Sequence, residues 1–391
     1  MTKVMTKVRY LTRLDQIPHL TAAEKAELQP VVAHYAFRVN SYYSGLIDWS
    51  DREDPIRRLV IPDVAELDPW GRLDPSDERA YAKVPGLEHK YEFTALLLVN
   101  DICGSFCRFC FRKRLFMNEN VEVVRDVAPG LAYIREHPQI NNVLLTGGDP
   151  LLLSTKRIRH ILSELRRIDH VHIVRIGSKM PAFNPFRILN DPELVRTLGE
   201  FSREDKKIYL MVHYNHPREL TTEAVAALDQ LQRAGVVICN QTPLLRGIND
   251  DPAVLGELFN TLSYVGAPPY YVFIGRPTRG NRHFAVPVEE AFAIFEQARM
   301  RCSGLAKRAR LVMSHSTGKI EIVGLTDTQI YFRYHRAADP QEKARFMVCE
   351  RNPEAHWFDD YVQITKDHSV ENPFRIHGPR QAQGNPASDS V

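Results

Sequence analysis

The chain has 391 residues, of which 44% are hydrophobic and 25% charged, with a net charge of +3. This length and composition fit one large α/β domain or two domains with a sizeable core. There is no dense basic block, and no apolar run approaches the roughly 20 residues of a membrane span, so neither nucleic acid nor membrane is an expected partner. The N-terminal stretch MTKVMTKVRYLTRLDQ has no apolar core followed by a small-residue cleavage site, so a cytoplasmic location is expected.

Along the chain, LTAAEKAELQPVVAHYAFRVNSYYSGLI (from Leu20) predicts a helix with Thr21 as N-cap and Glu24 completing a capping box. Residues 51–86, rich in Pro, Asp and Arg, predict an extended segment that wraps over the main domain and docks through Ile61, Leu67 and Trp70. From about residue 93, apolar strands alternate with amphipathic helices. The strands are TALLLVN from Thr94, NVLLTG from Asn142, HVHIVRIG from His170, KIYLMVHYN from Lys207, GVVICNQ from Gly235 and PYYVFIG from Pro269. The helices include TKRIRHILSELRRI, TTEAVAALDQLQRAG, PAVLGELFNTLSYVG and PVEEAFAIFEQARMRC. This βα alternation predicts a parallel sheet with helices outside, in the form of a partial (β/α)6, TIM-like barrel. No G-x-G-x-x-G follows the first strand and no Walker A is present. The expected organisation is an N-terminal helical and wrapping segment (1–88), the barrel (89–305), a C-terminal extension (306–366) and a disordered tail (367–391).

In such barrels the chemistry lies at the C-terminal ends of the strands. The sequence CGSFCRFC follows the first strand there and places Cys103, Cys107 and Cys110 in a C-x3-C-x2-C pattern. The other three cysteines, Cys239, Cys302 and Cys349, are scattered, so a disulfide framework is not indicated. A structural zinc site wants four ligands. Three thiolates suit a [4Fe–4S] cluster with one iron left open. The loop resembles the signature of radical S-adenosylmethionine (SAM) enzymes, in which the open iron chelates SAM. TGGDPL, from Thr146, resembles their glycine-rich SAM motif, with Gly147, Gly148 and Asp149 as its key residues.

The resemblance extends further. DPIRRLVIP, VPGLEHKY, CGSFCRFCFRKRLF, LLTGGDPLL, IVRIGSKMP, HYNHPREL, NQTPLLRGIND, PYYVF and GKI follow the order seen in the lysine 2,3-aminomutase family. That resemblance implies an isomerase that moves an α-amino group to Cβ, with a [4Fe–4S] cluster, SAM and pyridoxal 5′-phosphate (PLP) as cofactors. It implies cluster ligation by Cys103, Cys107 and Cys110. It implies that Arg112 holds the substrate α-carboxylate, that Lys319 is the PLP-binding lysine, and that Lys90 lies near the PLP phosphate. Ser178, His213, Asn215, His216, Asn240 and Gln241 fall in matching strand-end segments, Ser178, His213 and Gln241 being expected at the cofactors. An electron donor such as flavodoxin or ferredoxin is implied as a partner. The region after Lys319 is read as a cap for the barrel or as support for a homodimer.

The sequence also departs from the family pattern. Ser314, His315, Ser316 and Thr317 stand where the family has glycines before the lysine. A second phosphate-side arginine, four residues after the lysine of HKY, is Thr94 here. The two aspartates that hold the distal ammonium of lysine fall on Arg276 and Val312. Facing Arg276, an ammonium is repelled and a carboxylate is matched, so a substrate such as glutamate is expected. The alternatives are lysine itself, a relative that modifies a translation-factor lysine, and a radical SAM protein that has lost PLP.

Overall fold

The computed structural model describes residues 7–117 and 122–364. The disordered tail expected at 367–391 lies outside the described residues. Two short strands, β1 (Tyr10–Leu11) and β2 (Val39–Asn40), form a two-residue antiparallel ladder. The remaining strands are β3 (Ala82–Val84), β4 (Leu87–Tyr91), β5 (Thr94–Asn100), β6 (Asn142–Gly147), β7 (Ile173–Ser178), β8 (Ile208–Val212), β9 (Val237–Pro243), β10 (Pro269–Phe273), β11 (Arg310–His315), β12 (Gly318–Leu325), β13 (Gln329–Ala337) and β14 (Phe346–Glu350). They form one twelve-stranded sheet in chain order.

Strands β5 to β11 pair in parallel. The six connections between them give the expected six βα units, with β11 as a seventh parallel strand. Each helix forms because its apolar residues recur on one face. In Thr155–Arg166 the buried residues are Ile158, Ile161, Leu162 and Leu165, with Ser154 as N-cap. Burying such a side chain contributes about 1.5–3 kcal/mol. Two helices that the sequence pattern did not mark also flank the sheet, Ala128–Glu136 and Pro192–Phe201. Strand β7 starts at Ile173 rather than His170. The His170 ring is instead bonded to the Ile134 carbonyl at 3.0 Å.

The sheet then continues without a break, since β12, β13 and β14 add antiparallel to β11. The C-terminal extension is therefore part of the barrel wall. Side chains span the gap between its two ends. Arg336 on β13 donates to the Thr94 hydroxyl at 2.6 Å, and Lys90 on β4 donates to the His315 carbonyl at 2.5 Å.

At the N-terminus the helix Ala22–His34 carries the expected capping box, Thr21 Oγ1 accepting from Glu24 N and Glu24 accepting from Thr21 N. The wrapping segment is more structured than expected, with a helix at Pro55–Val60 capped by Asp54. Ile61 docks as expected at 2% exposure, but Leu67 is 46% exposed and makes no such anchor. Ile56, Leu59 and Val60 join Ile61 in a buried apolar cluster, and polar groups tie down the rest of the segment. Arg72 bridges to Thr278, Ser76 donates to the Ser314 carbonyl at 2.6 Å, and Tyr81 donates to that of Ser316 at 2.7 Å.

Candidate active site at the strand ends

The cysteine loop leaves β5 at Asn100, whose side-chain amide donates to the carbonyls of Ile102 and Asp149, both at 2.8 Å. The N-terminal region braces the loop. Arg108 makes a bidentate pair with buried Glu66 at 2.8 and 2.7 Å and donates to the Ala36 carbonyl. The Arg108 amide bonds the Leu59 carbonyl. Cys103, Cys107 and Cys110 are free and half-buried.

Burial pushes all three thiols up. The backbone amides of Asp149 and Arg112 act against this at Cys103 and Cys110, respectively. Such N–H groups favour thiolates, and bonding to iron would remove the remaining cost of burying them. Among the described residues no three His, Cys, Asp or Glu side chains converge on a single-ion site. A cluster makes no such demand, since each cysteine binds a different iron.

Gly147 and Gly148 pack β6 directly against this loop. Gly147 has φ +104°, and a Cβ on Gly148 would lie 2.5 Å from the Ile102 carbonyl oxygen. Asp149 caps the turn that follows. Its carboxylate accepts from Ser178 Oγ (2.8 Å), Lys179 N (2.8 Å), Leu151 N (3.0 Å) and Met180 N (3.1 Å). Burial holds it at about 6. Asp149 and Ser178 thus clamp the ends of β6 and β7 together, with the carboxylate oxygens taken up by the chain's own donors. Asn215 and Asn240 are similarly engaged, Asn215 with Lys179 and Thr242, Asn240 with the backbone of Tyr214. His216 caps the short turn at Pro217–Glu219.

A cavity of about 210 Å³ opens beside the cysteine loop. Of the expected site residues, Lys90, Arg112, His213, Gln241, Arg276 and Lys319 all line it. His213 stacks on Phe109 at 6.3 Å, and burial lowers it to about 3, so its ring is neutral. Lys319 sits across from Ser314 on β11, with its ammonium 3.9 Å from the Tyr271 ring centre and 4.7 Å from that of Phe273. Burial, then Arg336, Arg175, Arg276 and Lys90, hold it well below its ordinary value.

Arg112 is buried and fully engaged. It forks onto Glu78 at 2.9 Å through both Nε and Nη2, and its Nη1 donates to Thr146 at 2.8 Å. Glu78 also accepts from Arg114 at 2.9 Å and from Arg276 at 3.5 Å. The three arginines hold its carboxyl far below the usual range. Nearby Glu88 is pushed up to about 8 by burial and by the Glu78 charge. Arg276 lies flat on Phe111, 3.5 Å from the ring centre, with one long bond to Glu78. On β11, Leu311 and Met313 join the outer core while Val312 does not, so alternation turns Val312 and Ser314 inward.

Four charged cavity residues were missed in the sequence: Glu78, Glu88, Arg175 and Arg336. Arg175 had a readable signal, as a charge inside the apolar strand sequence IVRIG. Glu78 lay among many charges in the wrapping segment, with nothing to single it out.

Residues 97–256 match the radical SAM superfamily. A protein of Aquifex aeolicus (strain VF5) named "Putative L-lysine 2,3-aminomutase" is 57% identical over 363 residues, which are 93% of this chain and 97% of that protein. The L-lysine 2,3-aminomutase of Clostridium subterminale is 37% identical over 305 residues, covering 77% of this chain and 72% of the relative. The glutamate 2,3-aminomutase of Clostridioides difficile (strain 630) is 33% identical over 309 residues, covering 78% of this chain and 71% of the relative.

Proposed function

The chain belongs to the lysine 2,3-aminomutase family of radical SAM enzymes, and on that footing we propose that it moves the amino group of an acidic amino acid, such as glutamate, from Cα to Cβ. SAM and a [4Fe–4S] cluster follow from the radical SAM domain. We assign the cluster to Cys103, Cys107 and Cys110, and PLP to the cavity that holds Lys319. The cavity suits PLP in two respects: among the described residues its lysine amine has no acid partner, and several of its cations pair with no carboxylate. No helix among the described residues is long and apolar enough to cross a membrane. A cytoplasmic location and an external one-electron donor complete the proposal.

When bound, PLP would hold the migrating nitrogen and delocalise the unpaired electron. The chain's own residues do the positioning. Burial and neighbouring cations lower the proton affinity of the Lys319 amine and so favour its neutral form, the one that acts as a nucleophile. Tyr271 and Phe273 fix its position from beneath. Arg112 supplies a planar fork for the substrate α-carboxylate once Glu78 yields it. Phe109, Phe111 and Phe284 line the cavity and keep water from the reacting centre.

The observation that carries the substrate reading is the charge beside Arg276. Every cavity carboxylate is already committed, Glu78 to three arginines and Glu88 to its neutral form. A distal ammonium would find no partner, whereas a distal carboxylate would meet the free donors of Arg276. The test is an anaerobic assay of reconstituted protein with PLP, SAM and a reductant, offering glutamate and lysine separately. β-Glutamate without β-lysine is the expected result. The names of most relatives above favour lysine as the second reading, and β-lysine as the main product would establish it.

A further inference from the structure

Position 94 lacks the second phosphate-side arginine, yet the structure puts a guanidinium there from another strand. Arg336, on β13, donates through Nη2 to Thr94 Oγ1 at 2.6 Å. Its carbon lies 4.3 Å from the centre of the Tyr91 ring, and the Lys90 ammonium lies 5.7 Å from the same ring centre. Two cations from strands far apart in sequence therefore flank one aromatic side chain. We propose that Arg336 replaces the missing arginine and, with Lys90, forms the anion clamp that holds the phosphate of PLP.

The charge distribution supports this independently. Among the described residues the carboxyl groups that approach the cavity's cations are Glu78 and Glu88, both at its Arg112 and Arg276 end. Among the described residues no carboxylate pairs with Lys90, Arg175 or Arg336 at the other end. Lys90 has the His315 carbonyl, Arg175 the Asn142 side chain, and Arg336 the Thr94 hydroxyl. Each retains donors without a protein acceptor, and a dianion would satisfy them. The placement also fits the lysine. Lys319 lies on β12, the neighbour of β13, with Arg336 as its cross-strand partner. The clamp and the amine therefore face one molecule from adjacent strands. Reaching position 94 from β13 is possible only because β12 and β13 extend the sheet past the seventh parallel strand and fold it back toward β5.

The inference rests on the PLP reading above, and the experiment separates the two. Equilibrium binding of PLP and of pyridoxal, which lacks the phosphate, is measured on wild type, Arg336→Gln, and Arg336→Gln combined with Thr94→Arg. Glutamine retains a donor for the Thr94 hydroxyl, and a thermal melt of each variant checks folding. Arg336→Gln is expected to weaken PLP about 10- to 100-fold, the range of a lost charge-assisted bond, while leaving pyridoxal unchanged. Thr94→Arg is expected to restore most of the loss. Arg336→Lys, which keeps the charge, should fall between. Equal binding of PLP by wild type and Arg336→Gln, or equal weakening of PLP and pyridoxal, would overturn the clamp. A loss that Thr94→Arg does not recover would overturn the replacement. A wild-type protein that does not prefer PLP to pyridoxal would overturn the PLP reading beneath it.

Discussion

Glu78 closes a two-pronged ion pair on Arg112, with both nitrogen–oxygen distances at 2.9 Å. The pair is buried, and Glu78 comes from the wrapping segment rather than from the barrel. The fork assigned to the substrate carboxylate is thus covered by a carboxylate of the chain itself, which has the same geometry as the ligand it precedes.

Glu78→Gln removes the charge that three arginines share. Leaving such buried charges uncompensated is expected to cost about 3–5 kcal/mol of stability. Urea unfolding of the protein checks this. A loss below about 1 kcal/mol would mean that solvent or another acid replaces Glu78. The same variant is expected to bind a dicarboxylic amino acid more tightly than wild type does, because the competitor for Arg112 is gone.

Arg276→Asp inverts the charge proposed to select the substrate side chain. The expected outcome is a fall in kcat/KM for glutamate of about 100-fold or more, with a rise for lysine. The two substrates are assayed in parallel on the same preparation. If both fall together, Arg276 serves the structure of the cavity rather than its selectivity.

Lys319→Met is expected to stabilise the protein lacking PLP at neutral pH. The folded ammonium is held well below its ordinary value of 10.5, so between that lowered value and 10.5 the unfolded chain binds a proton that the folded chain does not. Stability therefore rises with pH through this window. The penalty is full below the window and vanishes above it. Methionine removes the penalty, so the melting temperature of the variant should exceed that of wild type at pH 7 and the two should converge toward pH 10. A constant difference at both pH values would show that packing, not charge, is responsible.

Gly148→Ala tests how the cysteine loop is held. The added methyl would lie 2.5 Å from the Ile102 carbonyl oxygen and 2.7 Å from the Ile102 nitrogen, and backbone cannot swing aside as a side chain can. A cost of about 1–3 kcal/mol is expected, with the strain delivered next to Cys103. Iron per chain after reconstitution should fall in the variant. Full iron loading at wild-type stability would show that the loop moves freely.

Much of this protein was legible locally. Alternation of apolar strands and amphipathic helices follows from periods of 2 and 3.6 residues, so β5, β6 and β10 begin where the sequence pattern places them. The three cysteines lie within one loop, so their spacing alone points to a cluster. Thr21 and Glu24 cap a helix through contacts three residues apart. Each of these features depends on neighbours in the chain.

The rest depended on distance in space. Glu78 and Arg112 are 34 residues apart, and Thr94 and Arg336 are 242 apart. A sequence pattern cannot pair such residues, because their approach is set by how the sheet curls and by which strand follows β11. A gap at position 94 reads as a lost function along the chain, and only the folded sheet brings a charge back to it. The sequence by itself determined the kind of barrel and the loop that carries the three clustered cysteines. The tertiary structure decided which charges meet in the cavity, since burial and long-range approach govern the strength and the partner of each one.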